Sequence, residues 1–331
     1  MAAGAAISVA LFAYLLWSVD LRELAAQLRQ TRWGWLALAV ALAPAGLFAR
    51  AARWRYLFPP HAEAPGLVPA VMIGYMGNNV LPLRAGELVR VYVVARRWRQ
   101  GFWTVVATLV VERVLDSLAL VLLLAALIFV IPVPVALEWA AAVLLAVDVV
   151  AVAALAAVAL RPDGARRLID RLMERWPALR QRIGTTLETF VRGLDGIRTR
   201  AHILPLTAWT LVVWAIPALA AWASLRAVNL ELPWVAGWAV LVFVGIGISI
   251  PSAPGYVGVF HYAATLATGI FGVSPAAAVG YALVYHASQF VPITLLGWLY
   301  LMKEGMTLGE ATHALPDERL PKKSETTGAR R

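Results

Sequence analysis

Residues 77–90 read GNNVLPLRAGELVR. They follow an apolar run, yet hold two Asn, a Pro, two Gly, two Arg and a Glu. In hydrocarbon every backbone N–H and C=O needs a partner, and each failure costs on the order of several kcal/mol. Pro82 brings no donor and interrupts a helix, while Gly86 permits turns that other residues resist. Such backbone is tolerated at membrane depth only where protein buries it or where it lines a wet cavity. The stretch therefore predicts a hairpin tip inside a membrane bundle. PSAPGYVG at 251–258 predicts a second, through Pro254, Gly255 and Gly258.

The rest of the chain supplies that bundle. Its 331 residues are 61% hydrophobic and 15% charged, with a mean hydropathy of +0.73. That is an all-α polytopic membrane protein by composition. Runs long enough to span lie at 2–19, 33–49, 102–130, 135–160, 204–226 and 276–302. Three shorter runs, 67–81, 234–250 and 259–272, each touch a Pro/Gly-rich break. They predict re-entrant hairpins beside six spanning helices, although 234–250 and 259–272 also fit two ordinary short spans.

Arg and Lys set the orientation. Placing 50–65, 84–101, 161–203 and 303–331 in the cytoplasm collects 24 basic residues, against 4 in 20–32, 131–134, 226–233 and 273–275. Both termini are then cytoplasmic, in the cytoplasmic membrane. The same asymmetry explains the pI near 10.4, so no nucleic-acid partner is expected. There is no cysteine, which excludes disulfides, thiolate metal sites and thiol nucleophiles. The N-terminus lacks a basic n-region and is read as a retained helix. Segment 161–203 repeats Leu168, Leu172, Trp176 and Leu179 at helical spacing among arginines, with a break near Pro177. That predicts amphipathic helices on the cytoplasmic surface. The tail 304–331 is polar and expected to be disordered.

The order of elements repeats. Residues 2–130 give helix, helix, inward hairpin, helix; residues 135–302 give the same order with the opposite orientation, an inverted repeat within one transmembrane domain, 1–303. PLRAG (82–86) matches PGYVG (254–258), and Arg113 and Asp116 then lie on His286 and Gln289. Gly86 precedes Arg113 by 27 residues and Gly258 precedes His286 by 28.

The candidate substrate-binding residues follow. The second arm of each hairpin begins near Gly86 or Gly258, and a helix N-terminus attracts anions. Asn78, Asn79, Arg84, Glu87 and Arg90 surround the first tip. The Asn pair could instead cap a helix. Arg90 reads equally well as a residue of the cytoplasmic end. Glu112, Arg113 and Asp116 lie inside a long apolar helix, where charges face the bundle interior and pair. They could hold an anionic headgroup or only lock helices together. His261, His286 and Gln289 accompany the second tip, and a His there could carry a proton. No HExxH, P-loop or nucleophile elbow occurs, so no catalytic residue, metal or cofactor is expected.

NNVLPLRAGELVRVYVVAR with VERVLDSLAL, and PSAPGYVGVFHYAATLATGIFGVSPAAAVGYALVYHASQFVPITLLG, resemble the lysylphosphatidylglycerol synthase transmembrane region, a flippase-like membrane family. The resemblance runs over about residues 5–303. It implies an inner-membrane protein that translocates an anionic lipid or lipid-linked sugar, with a glycosyltransferase or lipid-synthesis enzyme as a possible partner. Its Asn-x-x-Pro-x-Arg-x-Gly-Glu pattern falls on Asn79, Pro82, Arg84, Gly86 and Glu87. Glu-Arg-x-x-Asp falls on Glu112, Arg113 and Asp116, and Pro-Gly-x-x-Gly on Pro254, Gly255 and Gly258. Many members carry Glu in place of His261 and Arg in place of His286, which changes the charge offered there. The chain stops about thirty residues past its last predicted helix, so aminoacylation of lipid is not expected. The leading expectation is a flippase working by alternating access. The alternatives are a non-transporting scaffold for a lipid-synthesis enzyme, an ion-coupled small-solute transporter and, last, a membrane enzyme.

Overall fold

The computed structural model describes residues 29–60, 62, 66–98, 100–249 and 253–307. The predicted span 2–19 and most of the predicted tail lie outside them. Among the described residues all regular structure is helical. Helix α1 covers Trp33–Arg55, α2 Val68–Val80, α3 Gly86–Trp98, α4 Phe102–Ile128 and α5 Val135–Leu160. The amphipathic α6 (Pro162–Leu172) and α7 (Pro177–Gly193), with the single turn α8 (Asp195–Arg198), lead into α9, Arg200–Ala227. The last three are α10, Val235–Ser249, α11, Val259–Gly269, and α12, Pro275–Lys303.

Four of these, α1, α5, α9 and α12, are long and apolar enough to cross a membrane. Helix α4 is equally long, with 27 residues, but carries Glu112, Arg113 and Asp116 near its middle. The short helices are different. At 1.5 Å per residue α10, with 15 residues, reaches about 22 Å, and α2, α3 and α11 reach less. None alone covers a hydrocarbon core of about 30 Å.

Each pair of short helices packs together across its break. In the first, α2 ends at Leu81 with extended backbone, Pro82–Arg84 form one 3-10 turn, and α3 starts at Gly86. Glycine is needed at the crossing. A Cβ on Gly86 would lie 2.0 Å from the Gly74 carbonyl oxygen and 2.4 Å from the Asn78 nitrogen. In the second, Pro254–Tyr256 form the 3-10 turn, and Gly255 and Gly258 take φ of 68° and 89°. Both turns place a bulky residue in the left-handed region, Arg84 at φ 56° and Tyr256 at φ 59°. That backbone costs roughly 1–2 kcal/mol per residue. The two residues hold each other, for the Arg84 Nε donates to the Tyr256 hydroxyl at 3.4 Å and its guanidinium lies 5.6 Å from the ring centre.

The long helices frame the breaks. Helices α1 and α9 run side by side, with Gly46 against Ile216 and the Arg32 N–H donating to the Ala227 carbonyl. Helix α2 lies on α12, where Gly297 admits Met76, and α10 lies on α4, where Gly245 admits Leu120. Pro177 does start a new helix. Helix α6 leaves Leu168 and Leu172 exposed, as is Trp176 just before α7, while Gly193 seats α7 on Thr104 and Ala107 of α4.

One expectation needs correction. Helix α1 runs beyond residue 49 to Arg55, and it buries Arg53 completely and most of Arg50. Arg90 in α3 is buried as well. These three were counted as cytoplasmic loop charges. They have carboxylate partners inside the bundle, so neither helix has to end where its arginines begin, and the true loop asymmetry is smaller.

Replacing Gly86 with Ala should destabilise the protein by about 1–3 kcal/mol, because backbone rather than a flexible side chain meets the new methyl. Gly269→Ala places its Cβ in open space and should be neutral or stabilise by up to about 1 kcal/mol. Thermal unfolding in detergent tests this; equal melting temperatures would contradict the close crossing of α2 and α3.

Candidate functional site

The polar centre forms where α1, α3 and α4 converge. Arg50 and Arg53 lie on one face of α1 at i, i+3 spacing, and Glu112 and Asp116 on one face of α4 at i, i+4. Arg50 Nη1 donates to Asp116 Oδ2 at 2.9 Å, and Arg53 Nη1 lies 2.7 Å from Asp116 Oδ1. Arg53 also lies 3.7 Å from Glu112. From α3, Arg90 donates both terminal nitrogens to Glu112, at 3.3 and 3.0 Å, and lies 3.3 Å from Glu87. Arg113 completes the set, 2.7 Å from Glu112, 3.4 Å from Asp116 and 3.7 Å from Glu87. Four guanidiniums thus share three carboxylates.

Packing seals the inner side. The Arg90 guanidinium lies 4.3 Å from the centre of the Trp54 ring, a cation–π contact. Trp54 Nε1 donates to Thr108 Oγ1 at 3.0 Å, and that hydroxyl donates to the Val105 carbonyl. Arg53 and Glu112 are fully buried. Arg53 meets its carboxylates at ion-pair distance but without hydrogen-bond alignment, so its charge is answered while its N–H groups are not. Arg113, in contrast, keeps 36% of its side chain exposed. It opens the network outward, with the largely buried Arg50 beside Tyr75 next to it.

The remaining residues of the first break go elsewhere. Neither Asn caps α2. Asn78 Nδ2 donates to Glu87 Oε1 at 3.2 Å, which joins the tip to the network. Asn79 Nδ2 donates to Thr294 Oγ1 of α12 at 2.9 Å. Arg84 stands apart at the tip, against Tyr256. The start of α3 is no open anion site, because its first turn carries Glu87, which meets Arg90 and Arg113.

The second break holds no such charge cluster. His286 Nε2 donates to the Gly255 carbonyl at 2.8 Å, since a carbonyl can only accept. The Gly258 N–H donates to His261 Nδ1 at 3.3 Å, which answers one free donor at the start of α11. The two imidazoles pack edge to face, centres 4.8 Å apart, with Phe260 and Phe290 against His286. Gln289 Nε2 donates to the Ala39 carbonyl of α1. Gly255 fits beside Phe290 and the Asn79 carbonyl, so the two breaks touch here as well as at Arg84. The structure therefore brings Asn78, Glu87, Arg90, Glu112, Arg113 and Asp116 into one site. It places Arg84 and Asn79 between the two breaks, and Pro254, Gly255, Gly258, His261 and His286 in a separate brace.

Residues 1–297 match the family described as lysylphosphatidylglycerol synthase TM region. The chain belongs to that family. It is also similar to the protein named glycosyltransferase AglD of Haloferax volcanii, 27% identical over 266 residues, 71% of this chain and 42% of that one. The chain thus spans less than half the length of that relative. No solved structure matches. Together with the apolar spans, the family makes this a multi-pass membrane protein.

Sequence reasoning missed Arg50, Arg53, Trp54 and Tyr75. The signal was available in FARAARW (48–54), two arginines at i, i+3 between apolar residues, the complement of ERVLD at 112–116. Removing one partner of a buried pair leaves the others uncompensated. Glu112→Ala should cost about 3–5 kcal/mol, whereas Asp195→Ala, from the exposed pair with Arg198, should cost about 0–1 kcal/mol. Unfolding in detergent compares the two, and a Glu112 variant as stable as wild type would contradict a stabilising network.

Proposed function

We propose that this protein is a lipid flippase of the cytoplasmic membrane. It moves an anionic phospholipid or polyprenyl-phosphate-linked lipid, and the Arg113 mouth of the network takes the headgroup. One observation carries the reading. A charged network with a surplus cation opens through Arg113 from the middle of α4, in a bundle whose long helices α1, α5, α9 and α12 are apolar. Ionised groups inside a membrane bundle mark a transport or binding path by default.

On this reading α2–α3 and α10–α11 are re-entrant hairpins entering from opposite sides, within an inverted repeat of about 2–130 and 135–302. Their length supports it, as do the matched turns with Arg84 and Tyr256 at equivalent positions and the reciprocal packing of each hairpin on the last helix of the other half. The hairpins meet at Arg84 and Tyr256, and parting them in alternation opens the site to either leaflet. The family supports a lipid substrate. The molecule needs no catalytic residue for this, and both termini face the cytoplasm.

A second reading has one observation in its favour. The similar glycosyltransferase matches over only 42% of its length, so a membrane module can accompany a transferase. The chain would then be a non-transporting partner of a glycosyltransferase or lipid synthase.

Purified protein in liposomes separates the two. Transbilayer movement of a fluorescent phosphatidylglycerol or polyprenyl phosphate should rise with wild type and fall about tenfold or more with Arg113→Ala. An intact fold in that variant is checked by its melting temperature. Movement of neither lipid by folded wild-type protein, or full activity in Arg113→Ala, would overturn the proposal.

A further inference from the structure

We infer that the site selects lipids by headgroup charge and takes the singly charged phosphodiester, whether a phospholipid or a polyprenyl-phosphate sugar. The inference rests on the flippase reading and deepens it.

The count comes from the contacts. Every carboxylate of the network lies within 4 Å of at least two guanidiniums, and every guanidinium within 4 Å of at least one carboxylate. Among the described residues, four cations against three anions leave a net charge of +1. Asn78, Trp54, Thr108 and Tyr75, which border the network, are neutral side chains. The excess cannot be relieved within the network, because each carboxylate is already shared by two or three guanidiniums at ion-pair distance.

An uncompensated charge held away from water is costly, and so is one charge too many of the other sign. A neutral or zwitterionic headgroup leaves the +1 unanswered. A phosphomonoester, carrying about −1.5 to −2 near neutral pH, converts it into a deficit. A phosphodiester brings a single negative charge and closes the balance. The route in agrees with this. Arg113 divides its guanidinium among three carboxylates and is the most exposed of the four, so it can turn outward to a phosphate while Glu112 and Asp116 keep Arg90, Arg53 and Arg50. Sealed beneath Trp54, Arg90 cannot do so.

The charge count makes a variant that reverses the preference. Glu87→Gln keeps the shape of the side chain and its hydrogen bond with Asn78 but leaves four cations against two anions. Glu87 is partly exposed, at 19%, so its loss disturbs the interior less than loss of Glu112.

Binding and movement are measured separately on the full chain. Binding is read by competition against a fluorescent phosphatidylglycerol in detergent. The competitors are phosphatidylglycerol and a polyprenyl-phosphate monosaccharide (phosphodiesters), phosphatidic acid and polyprenyl phosphate (phosphomonoesters), and phosphatidylcholine. Wild type should favour both phosphodiesters over both phosphomonoesters and over phosphatidylcholine by about tenfold, and Glu87→Gln should shift the preference to the phosphomonoesters. The stronger of the two phosphodiesters distinguishes the phospholipid from the polyprenyl source. Equal binding of mono- and diesters by wild type, or an unshifted preference in folded Glu87→Gln, overturns the inference. Selective binding without movement in liposomes overturns the flippase reading and leaves the charge selection standing.

Discussion

The pair between Arg90 and Glu112, two aligned hydrogen bonds with neither group exposed, is the contact on which the rest of the site depends. A carboxylate in the middle of α4 is not tolerable alone. Arg113 of α4 reaches it from the outer side, and its buried side is answered by arginines that other helices carry to the same depth. Helix α1 does so by continuing past its apolar stretch to Arg50 and Arg53. Helix α3 does so by beginning at an internal turn, which sets Glu87 and Arg90 one turn apart on the face toward α4. The break at Pro82–Gly86 is thus not a defect in a spanning helix. It is the means by which a chain with few charges places two of them inside.

That geometry sets narrow limits elsewhere. Helix α3 can reach α4 only if α2 does not hold it away, and the close crossing at Gly74, Gly77 and Gly86 leaves no room for a side chain. The second break solves the same backbone problem with different chemistry. Its histidines answer the Gly255 carbonyl and the Gly258 N–H, so the turn is closed from within and carries no ion pair of its own. The two breaks share a conformation, with matching left-handed residues at Arg84 and Tyr256, but divide the labour. One holds charge and the other holds shape. Their tips meet at Arg84 and Tyr256.

Much of this was legible beforehand. The helical class, the breaks at 82–86 and 254–258, the break before Pro177 and the pairing of Glu112, Arg113 and Asp116 all follow from local rules: proline lacks a donor, glycine permits turns, and buried charges need partners. What sequence could not supply was the identity of those partners. Arg50 and Arg53 sit at the end of an apolar run, where positive charge normally marks the cytoplasmic boundary, so a topological rule absorbed them before a pairing rule could. Arg90 was ambiguous for the same reason. The roles of Asn78 and Asn79 depended on which helices pack beside α2, which is a tertiary fact. Matching Arg113 with His286 by the repeat was silent on chemistry, since one sits in an ion network and the other on a backbone carbonyl.

As proposed re-entrant hairpins, α2–α3 and α10–α11 each enter and leave the membrane on one side, and the two pairs do so from opposite faces. The chain has no cysteine, so single cysteines report position without background. Cysteines placed at Ala62 and Gln100 flank α2–α3, and at Glu231 and Val273 they flank α10–α11. Labelling in sealed, oriented vesicles with a membrane-impermeant maleimide should reach Ala62→Cys and Gln100→Cys from one face only, and Glu231→Cys and Val273→Cys from the other face only. Reaching Ala62→Cys and Gln100→Cys from opposite faces would show that α2–α3 crosses the membrane, and the account of a charged site held by a re-entrant hairpin would be wrong.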